Sequence, residues 1–396
     1  MNASALRAEA EALLPGVVAL RRRIHRQPEL GLVLPETQKA VLEALGDLGI
    51  ELQTGGKTSA VVAVLRGAQP GPTLLLRADM DALPLTEDTG LPFCSEREGA
   101  MHACGHDAHV AMLAGAARLL AGRRGELAGT VKLLFQPGEE GYAGARILIE
   151  EGLLDGDAPV EAAFALHVDS SLPAGVVATR PGPLLASGDI FSIDLTGKGG
   201  HAAQPHLARD PIPVACEIVT ALQAVVTRQM YAFDPVIVSV TKLQAGTAGN
   251  VIPEKAHILG TIRSVSERAR RAVREKLERL VRGIAAAHGL EVAVHVLPGY
   301  PVTVNHEAST AFARGVAADL LGEDRIVDLE APIMGAEDFS YVLQRVPGAL
   351  MFVGARPPGG GEGAPLHSNR MVLEESAFAT GVALHAALAL RYLGAR

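Results

Sequence analysis

Two hydrophobic patterns alternate along the first 180 residues. Short runs rich in Val, Leu and Ala, bounded by Gly or Pro, are typical of buried strands. They occur at Ala60–Leu65, Thr73–Ala78, Thr130–Phe135 and Ala162–Val168. Between these runs, segments such as Thr37–Leu48 and His109–Leu120 have the apolar spacing of helices. Continuously apolar strands that alternate with helices predict an α/β fold with a mostly parallel sheet that is covered on both faces.

The pattern changes at about Leu185. Four strand-like segments and two helical segments follow, which is enough for a compact α+β unit with its own core. The strands are Phe191–Thr196, Val236–Leu243, His257–Arg263 and Glu291–Leu297, and the helices are Pro213–Met230 and Glu267–His288. This unit is therefore predicted to be a separate domain.

The first pattern returns after Val302, with a strand at Ala349–Val353 and an apolar helix at Ala377–Leu390. A strand and a helix of this kind would complete the first domain, so that the α+β unit is an insertion in it. The predicted boundaries are 1–184 for the first part of the main domain, 185–298 for the inserted domain and 299–396 for the second part.

Composition and charge exclude several classes of protein. Lys and Arg number 36 against 44 Asp and Glu, and the net charge of −8 has the wrong sign for a surface that binds phosphates. The chain has no Trp, so it also lacks the best stacking platform for single-stranded nucleic acid. Nucleic acid is therefore not expected as a partner.

The sequence favours a cytoplasmic protein. Three cysteines at scattered positions do not suggest a disulfide framework. The N-terminal segment places acidic residues before its apolar stretch, which is the reverse of a signal peptide. The most apolar segment, Ala377–Leu390, is too short to cross a bilayer. We expect no export and no membrane partner.

The segment MHACGHDAHVAML carries the densest group of side chains that can bind a metal. His102, Cys104, His106, Asp107 and His109 fall within eight positions, directly before a helical stretch. Each of them alone is more often structural than a ligand. Their density makes this segment the first candidate for a metal site.

Further candidate side chains lie at the C-terminal ends of predicted strands. They are Asp79, Asp81, Glu139, Glu140, His167 and His367. Because open α/β sheets bind ligands at the carboxyl ends of their strands, we expect these groups to converge. Adjacent carboxylates on a loop allow one to bind a metal while the other transfers protons. A mixed set of S, N and O donors suits Zn²⁺, Mn²⁺, Co²⁺ or Ni²⁺ better than Ca²⁺ or Mg²⁺.

Motifs along nearly the whole chain resemble those of amidohydrolases of the peptidase M20 group. The resemblance is strongest to the aminoacylase-like branch with hippurate hydrolases, indole-acetyl amino acid hydrolases and N-acetyldiaminopimelate deacetylases. The motifs are, in order, RRRIHRQPELG, RADMDALP, MHACGHDAHVAML, QPGEEG, ALHV, GKGGHAAQPH, AGTAGNVIP, GTIRS, MGAEDFSY and LHSNRM. Their number and order make the resemblance far more specific than any single motif.

The resemblance implies a metallohydrolase with two divalent ions and Glu139 as general base. The implied ligands are Cys104, His106, Glu140, His167 and His367. Other branches of the group have a His-x-Asp pair where this chain has Asp79-Met80-Asp81. His106 would replace the missing nitrogen ligand, and Asp81 would hold a ligand in its correct tautomer. Whether Asp79 contacts the metal stays open.

The resemblance also assigns the inserted domain a role in dimerisation. In GKGGHAAQPH, His201 resembles the histidine that reaches the partner subunit's active site. Asn250 and Arg263 resemble residues that hold polar groups of the substrate, and Arg suits a carboxylate because its planar fork bonds both oxygens. Without the resemblance, these would be ordinary turn and strand-end residues. A homodimer or a dimer of dimers is expected.

The implied reaction is hydrolysis of an N-acyl amino acid, with N-acetyl, N-benzoyl or aryl-acetyl groups as candidates. One alternative is a dipeptidase or carboxypeptidase of the same group, and another is a metal-containing binding protein without turnover. The presence of Glu139 argues against the binding protein. A cysteine hydrolase with Cys104 as nucleophile is a third alternative. The expected convergence of acids and histidines favours metal ligation of that thiolate instead.

Overall fold

The computed structural model describes residues 2–156, 158–359 and 363–394, and the chain forms two compact units. Unit 1 comprises Met1–Leu184, Val304–Ala331 and Tyr341–Arg396, and unit 2 comprises Leu185–Thr303 and Pro332–Ser340. The short segment Pro332–Ser340 thus groups with unit 2, although it follows the predicted insertion in sequence.

The secondary structure alternates as the hydrophobic pattern predicts. Before unit 2 the elements are α1 (Ala3–Arg26), α2 (Pro35–Leu45), β1 (Glu51–Thr54), β2 (Val61–Arg66), β3 (Gln69–Asp79), α3 (His106–Gly122), β4 (Ala128–Gln136), α4 (Gly144–Glu150), β5 (Val160–Pro173), β6 (Val177–Thr179) and β7 (Gly182–Leu185). The next are β8 (Ser187–Thr196), β9 (Gly200–His201), α5 (Pro211–Gln229), β10 (Val236–Ala245), β11 (Val251–Ile252), β12 (Lys255–Ser264), α6 (Glu267–Ala287) and β13 (Glu291–Leu297). The last are β14 (Thr303–Asn305), α7 (Glu307–Leu321), β15 (Ile326–Asp328), α8 (Ser340–Leu343), β16 (Gly348–Arg356) and α9 (Phe378–Tyr392).

Unit 1 is built on an eight-stranded sheet with the strand order β1-β2-β4-β3-β5-β16-β6-β15. The central pairs β4-β3, β3-β5 and β5-β16 are parallel, as is β6-β15. The pairs β1-β2, β2-β4 and β16-β6 are antiparallel. The α/β fold with a mostly parallel sheet is therefore confirmed. Because β3, β5 and β16 are buried along most of their length, their polar residues are exceptions that need an explanation.

Strand β5 is longer than predicted and runs on past His167 to Pro173. Its pairing with β3 stops at Ala165, opposite Arg77, whereas its pairing with β16 continues on the other side. His167 is thus two residues beyond the last residue of β5 that is paired with β3. This divergence opens the crevice where candidate side chains of β3 and β5 meet.

Unit 2 has a four-stranded antiparallel sheet with the order β10-β12-β8-β13. Burial alternates along β8, and its inward residues Phe191, Ile193 and Leu195 form a core with α5 and α6. The strand-helix content predicted for the inserted domain is thus present, with the two-residue strands β9 and β11 in addition. Within the described ranges, no helix combines the length and the hydropathy needed to cross a bilayer.

Candidate metal centre

Helix α3 begins at His106, and Gly105 separates this predicted ligand from Cys104. Gly105, which precedes the helix, has a φ of 84° in the left-handed region. A Cβ atom at this position would lie 2.4 Å from Cγ2 of Val168 on β5. Only glycine fits, because it tolerates both the backbone conformation and the close approach. The chain can therefore place Cys104 and His106, both buried, on either side of a sharp turn against β5.

The loop after β4 is held by a carboxylate that follows β3. Asp81 accepts hydrogen bonds from the backbone N–H of Glu139 through Oδ1 and from that of Glu140 through Oδ2, both at 2.9 Å. Asp81 therefore fixes the backbone of both glutamates. Its Oδ1 also lies 3.6 Å from Nδ1 of His106, a charge contact that is too long for a hydrogen bond.

His367 approaches the cluster from the loop after β16 with an unusual backbone. Its φ of 68° is in the left-handed region, which a residue with a Cβ rarely adopts. The backbone N–H of His367 donates to the carbonyl of Ala103 at 2.8 Å, which ties this loop to the residue before Cys104. Such strain is most common at functional sites, where surrounding contacts enforce it.

The five predicted ligands come together around Cys104. Its Sγ is 3.5 Å from Nε2 of His167 and 3.3 Å from Nε2 of His367. Nε2 of His367 is also 3.3 Å from Oε1 of Glu140. Among the described residues, potential ligand atoms lie within 4.8 Å of one another in five groups, and two of these contain Cys104: Cys104 with His106 and His167, and Cys104 with Glu140 and His367. The other three groups are Asp79 with His106 and His109, Glu139 with His106 and Glu140, and Glu139 with Glu337 and Asp338. Cys104 is common to the first two groups, so it would be a ligand in either of them.

The chemistry of the cluster suits a metal site. Among the described residues, neither ring nitrogen of the buried His106 has a hydrogen-bond partner. Buried polar atoms without partners are rare and indicate an unseen water or ion. The donors are one thiolate, three imidazoles and a carboxylate, which is a set typical of Zn²⁺ and related transition metals.

Three of the predicted ligands have shifted pKa values. Burial alone would raise the pKa of Cys104, but the neighbouring His167 and His106 lower it to about 6. Burial opposes protonation of His167, yet the Cys104 thiolate raises its pKa to about 9. Hydrogen bonds with Cys104 and Glu140 raise the pKa of His367 to about 10. Metal ligands must lose such protons, so metal binding at this cluster would release them.

Asp79 lies next to His106, and His109 is hydrogen-bonded to Asp79. Oδ2 of Asp79 is 3.7 Å from Nε2 of His106, and Oδ1 of Asp79 is hydrogen-bonded to Nδ1 of His109. Burial lowers the pKa of His109 to about 4, so its ring is neutral. Arg77, two residues before Asp79 on β3, also binds the Asp79 carboxylate. The sequence analysis missed Arg77, although its spacing from Asp79 places both side chains on one face of the strand.

The other predicted site residues belong to unit 2. His201 and Asn250 are close in the fold because β9 pairs with β11, opposing His201 to Val251. Both side chains are exposed, and Nδ1 of His201 accepts the backbone N–H of Ala203 at 3.0 Å. Arg263 lies elsewhere, on the central strand β12. These three residues do not form a single cluster within unit 2.

Most of the chain matches a known protein family. The sequence profile described as Peptidase family M20/M25/M40 matches residues 75–391. This range includes every residue of the metal cluster.

Three relatives with descriptive names align over most of their length. "Thermostable carboxypeptidase 1" of Saccharolobus solfataricus is 41% identical over 380 residues, which are 95% of each chain. "N-acetylcysteine deacetylase" of Bacillus subtilis is 41% identical over 339 residues, 85% of this chain and 88% of the relative. An "IAA-amino acid hydrolase" of Arabidopsis thaliana is 39% identical over 381 residues, 95% of this chain and 86% of the relative.

A solved structure shares the fold over nearly the whole chain. It is a Bacillus subtilis protein described as a dinuclear metal binding peptidase from the M20 family. It is 36% identical, with a TM-score of 0.83, and the alignment covers 96% of this chain and 99% of that one.

Proposed function

The chain belongs to peptidase family M20/M25/M40 and is a metal-dependent hydrolase, and on that premise we propose that it hydrolyses the amide bond of N-acyl amino acids. The substrates are N-acetyl, N-benzoyl or aryl-acetyl conjugates, and the products are a carboxylic acid and a free amino acid. Relatives described as N-acetylcysteine deacetylase and IAA-amino acid hydrolase support this choice of substrates.

The position of Glu139 is the observation that carries the proposal. A carboxylate oxygen of Glu139 lies within 4.8 Å of ligand atoms of His106 and Glu140. Glu139 is buried, and Asp81 holds its backbone. Glu139 is outside the two groups that share Cys104, although it belongs to two other possible ligand groups, one with His106 and Glu140 and one with Glu337 and Asp338. We assign proton transfer to Glu139 because a carboxylate beside a metal cluster can serve as a general base.

In this proposal, five side chains would hold two divalent ions. Cys104 would contribute to both ions, His106 and His167 to one group, and Glu140 and His367 to the other. We propose Zn²⁺ or Mn²⁺, with Co²⁺ and Ni²⁺ as further candidates. Such an ion pair, when bound, lowers the pKa of water and polarises a carbonyl. The reduced thiol that this site needs is consistent with our prediction of a cytoplasmic location.

Glu139 performs the proton transfers in this proposal. It takes a proton from the attacking water, so that oxygen becomes a competent nucleophile at neutral pH. It then delivers the proton to the nitrogen of the scissile amide, because expulsion of an unprotonated amine is prohibitive. Asp81 keeps the base in place through the backbone of the loop. Cys104 forms no covalent acyl intermediate.

Residues of unit 2 complete the proposed site. We propose that His201 acts on the partner subunit's active site, where it stabilises the oxyanion of the tetrahedral intermediate. Asn250 and Arg263 bind polar groups of the substrate, and the Arg263 guanidinium pairs with the amino-acid carboxylate. The resemblance of the motifs to the family implies these roles, and we propose a homodimer built on unit 2. The exposure of His201 and Asn250 is compatible with them.

A second candidate function is removal of a C-terminal amino acid from a peptide. The observation that favours it is the relative described as a thermostable carboxypeptidase, which aligns over 95% of this chain. Both reactions release an amino acid from an amide, and both use the same metals and base. They differ in whether the acyl side is a simple acid or a peptide.

A turnover screen distinguishes these functions. The metal-free protein is reloaded separately with Zn²⁺, Mn²⁺, Co²⁺ or Ni²⁺ and tested on N-acetyl, N-benzoyl and indole-acetyl amino acids and on unblocked peptides. Glu139→Gln serves as the control for contaminating activity. Preference for acyl amino acids supports our proposal, and preference for peptides supports the carboxypeptidase. Absence of turnover with every metal and substrate would contradict both.

A further inference from the structure

His109 is a fully buried histidine that the proposed mechanism does not use. It lies one turn after His106 on α3, and its side chain is 1% exposed. Its ring is edge-to-face with that of His167, with centroids 4.5 Å apart, and 5.4 Å from that of His106. A single side chain thus contacts two proposed ligands that come from different elements.

The hydrogen bonds of His109 define its tautomer. Nε2 lies 2.8 Å from the backbone nitrogen of Val168, the residue after His167 on β5. An amide N–H can only donate, so Nε2 is the acceptor. Nδ1 therefore carries the hydrogen and donates it to Oδ1 of Asp79. His109 is not a ligand in this form, because neither nitrogen has a lone pair directed at the cluster.

Asp79 is held on both oxygens. His109 donates to Oδ1, and the Arg77 guanidinium donates to Oδ2. Arg77 is in turn fixed by Gln136 at the end of β4, with Nε 3.0 Å from its Oε1. The carboxylate, which is 0% exposed, thereby keeps its charge beside Nε2 of His106. Carboxylates behind metal-binding histidines orient the ring and raise its basicity.

We propose that His109 is a positioning residue that aims Asp79 at His106 and thereby sets the metal affinity of the cluster. The inference rests on the ligand set of the proposed function and adds to it. It assigns Asp79 to the support of a ligand rather than to the ions themselves. The hydrogen bond that the Val168 N–H donates to His109 has a different role. It holds β5 next to His167, beyond Ala165, the last residue of β5 that pairs with β3.

Two substitutions separate the hydrogen bonds of His109. In His109→Asn, the side-chain amide takes the place of Nδ1 and can donate to Asp79, but it does not reach Val168. In His109→Gln, the amide oxygen takes the place of Nε2 and can accept from Val168, but nothing donates to Asp79. His385→Gln is the matched control, because His385 is another fully buried histidine of unit 1, on α9.

Two quantities are measured for each variant. The first is Zn²⁺ affinity, from competition with a chelating indicator, and the second is the Tm of the metal-free protein. We expect His109→Gln to weaken Zn²⁺ binding by at least about tenfold, and His109→Asn to stay within about threefold of wild type. The Tm should fall in all three variants, whereas the affinity should fall in His109→Gln alone. Equal losses of affinity in both His109 variants would overturn the proposal.

Asp79→Asn provides an independent test if His109→Gln does not fold. It keeps the size of the side chain and removes its charge, so Zn²⁺ affinity should fall by a similar factor. The double variant that combines Asp79→Asn with His109→Gln should have the same Zn²⁺ affinity as the single variant with the lower affinity, because both substitutions act through one contact. Zn²⁺ binding at wild-type affinity by Asp79→Asn or His109→Gln would overturn this inference alone. A wild-type protein that binds no Zn²⁺ would overturn the proposed metal centre as well.

Discussion

Glu139 and Glu140 are neighbours in the chain with different surroundings. Burial raises the pKa of Glu140, but the hydrogen bond with His367 and the charge of His106 outweigh burial and lower it. Glu140 is thus held as a carboxylate by groups that a metal would also contact. Glu139 is in neither ligand group that contains Cys104. The proposed base and the proposed ligand are therefore adjacent residues.

We predict that Glu139→Gln retains both metals and loses nearly all turnover. Gln preserves the shape of the side chain but cannot accept the proton of water, and general-base catalysis commonly contributes about 10²-fold to 10⁴-fold. The matched variant Glu140→Gln should lose metal instead. Metal content and kcat of both variants test the assignment. More than about half of the wild-type rate in metal-loaded Glu139→Gln would show that another group is the base.

We predict that Cys104 reacts with an alkylating reagent only after metal removal. A ligating thiolate is occupied by the ion. Without metal, its pKa of about 6 leaves it ionised at neutral pH. Mass spectrometry of the modified peptides gives the rate at each cysteine separately. The exposed Cys216 should react equally in both states and serves as the internal control. Equal rates at Cys104 with and without metal would contradict its role as a ligand.

At the scale of elements, helices α1 and α3 are joined by a buried charge network. Asp107 lies in the first turn of α3. Its Oδ2 is 2.7 Å from Nε of Arg21 and 2.7 Å from Nδ1 of His25, both on α1. Nε2 of His25 lies 3.3 Å from the Glu87 carboxylate. Because Asp107 directly follows His106, this network fixes the start of the helix that carries this proposed metal ligand.

We predict that His25 stabilises the fold at low pH more than at high pH. Burial lowers its pKa, but Asp107 and Glu87 outweigh burial and raise it above its ordinary value of 6.5. A raised pKa in the folded state gives stability that is complete below pH 6.5 and disappears as the pH rises through the folded value. His25→Gln should therefore lower the free energy of unfolding by about 2 kcal/mol at pH 6 and by less at pH 9.

Urea denaturation of the metal-free protein at both pH values measures this difference. His288→Gln is the control, because His288 forms an exposed pair with Glu217 at 2.8 Å. Exposed pairs contribute little, so that variant should resemble wild type at both pH values. A destabilisation by His25→Gln that is the same at pH 6 and pH 9 would mean that His25 is neutral in the fold.

The positions of the strand ends could be predicted from the sequence, whereas the contacts between them could not. Hydrophobic runs place Asp79 and Glu139 after strands, and the carboxyl-end rule brings them together. The role of His109 depends on the backbone N–H of Val168, which is 59 residues away and leaves no side-chain pattern. The same holds for His25, because no local pattern separates it from the exposed His288.

At the scale of the whole molecule, the family predicted from the motifs and the fold class predicted from the hydrophobic pattern are both confirmed. Ten motifs in a fixed order constrain the fold far more than one site does. The assignment of Pro332–Ser340 to unit 2 had no such signal. It depends on long-range contacts, which composition and periodicity do not report. The roles of His201, Asn250 and Arg263 stay predictions, since they concern an assembly of more than one chain.

The cooperation of two subunits can be tested by complementation. Glu139→Gln removes the base in unit 1, and His201→Ala removes the proposed oxyanion donor in unit 2; each protein alone should be inactive. In a mixed dimer, one site has an intact Glu139 together with an intact His201 of the partner subunit. With free subunit exchange and equal amounts, about half the dimers are mixed, so activity should rise towards about a quarter of wild type.

The control for this experiment is a mixture of Glu139→Gln with Glu140→Gln. Both changes lie in unit 1 of their own chain, so every site in every dimer keeps one defect and no activity should return. Native mass spectrometry of the mixtures verifies that mixed dimers form. Recovery in the first mixture and not in the second requires that His201 acts across the interface. If verified mixed dimers of Glu139→Gln with His201→Ala stay inactive, His201 acts within its own chain or takes no part in catalysis.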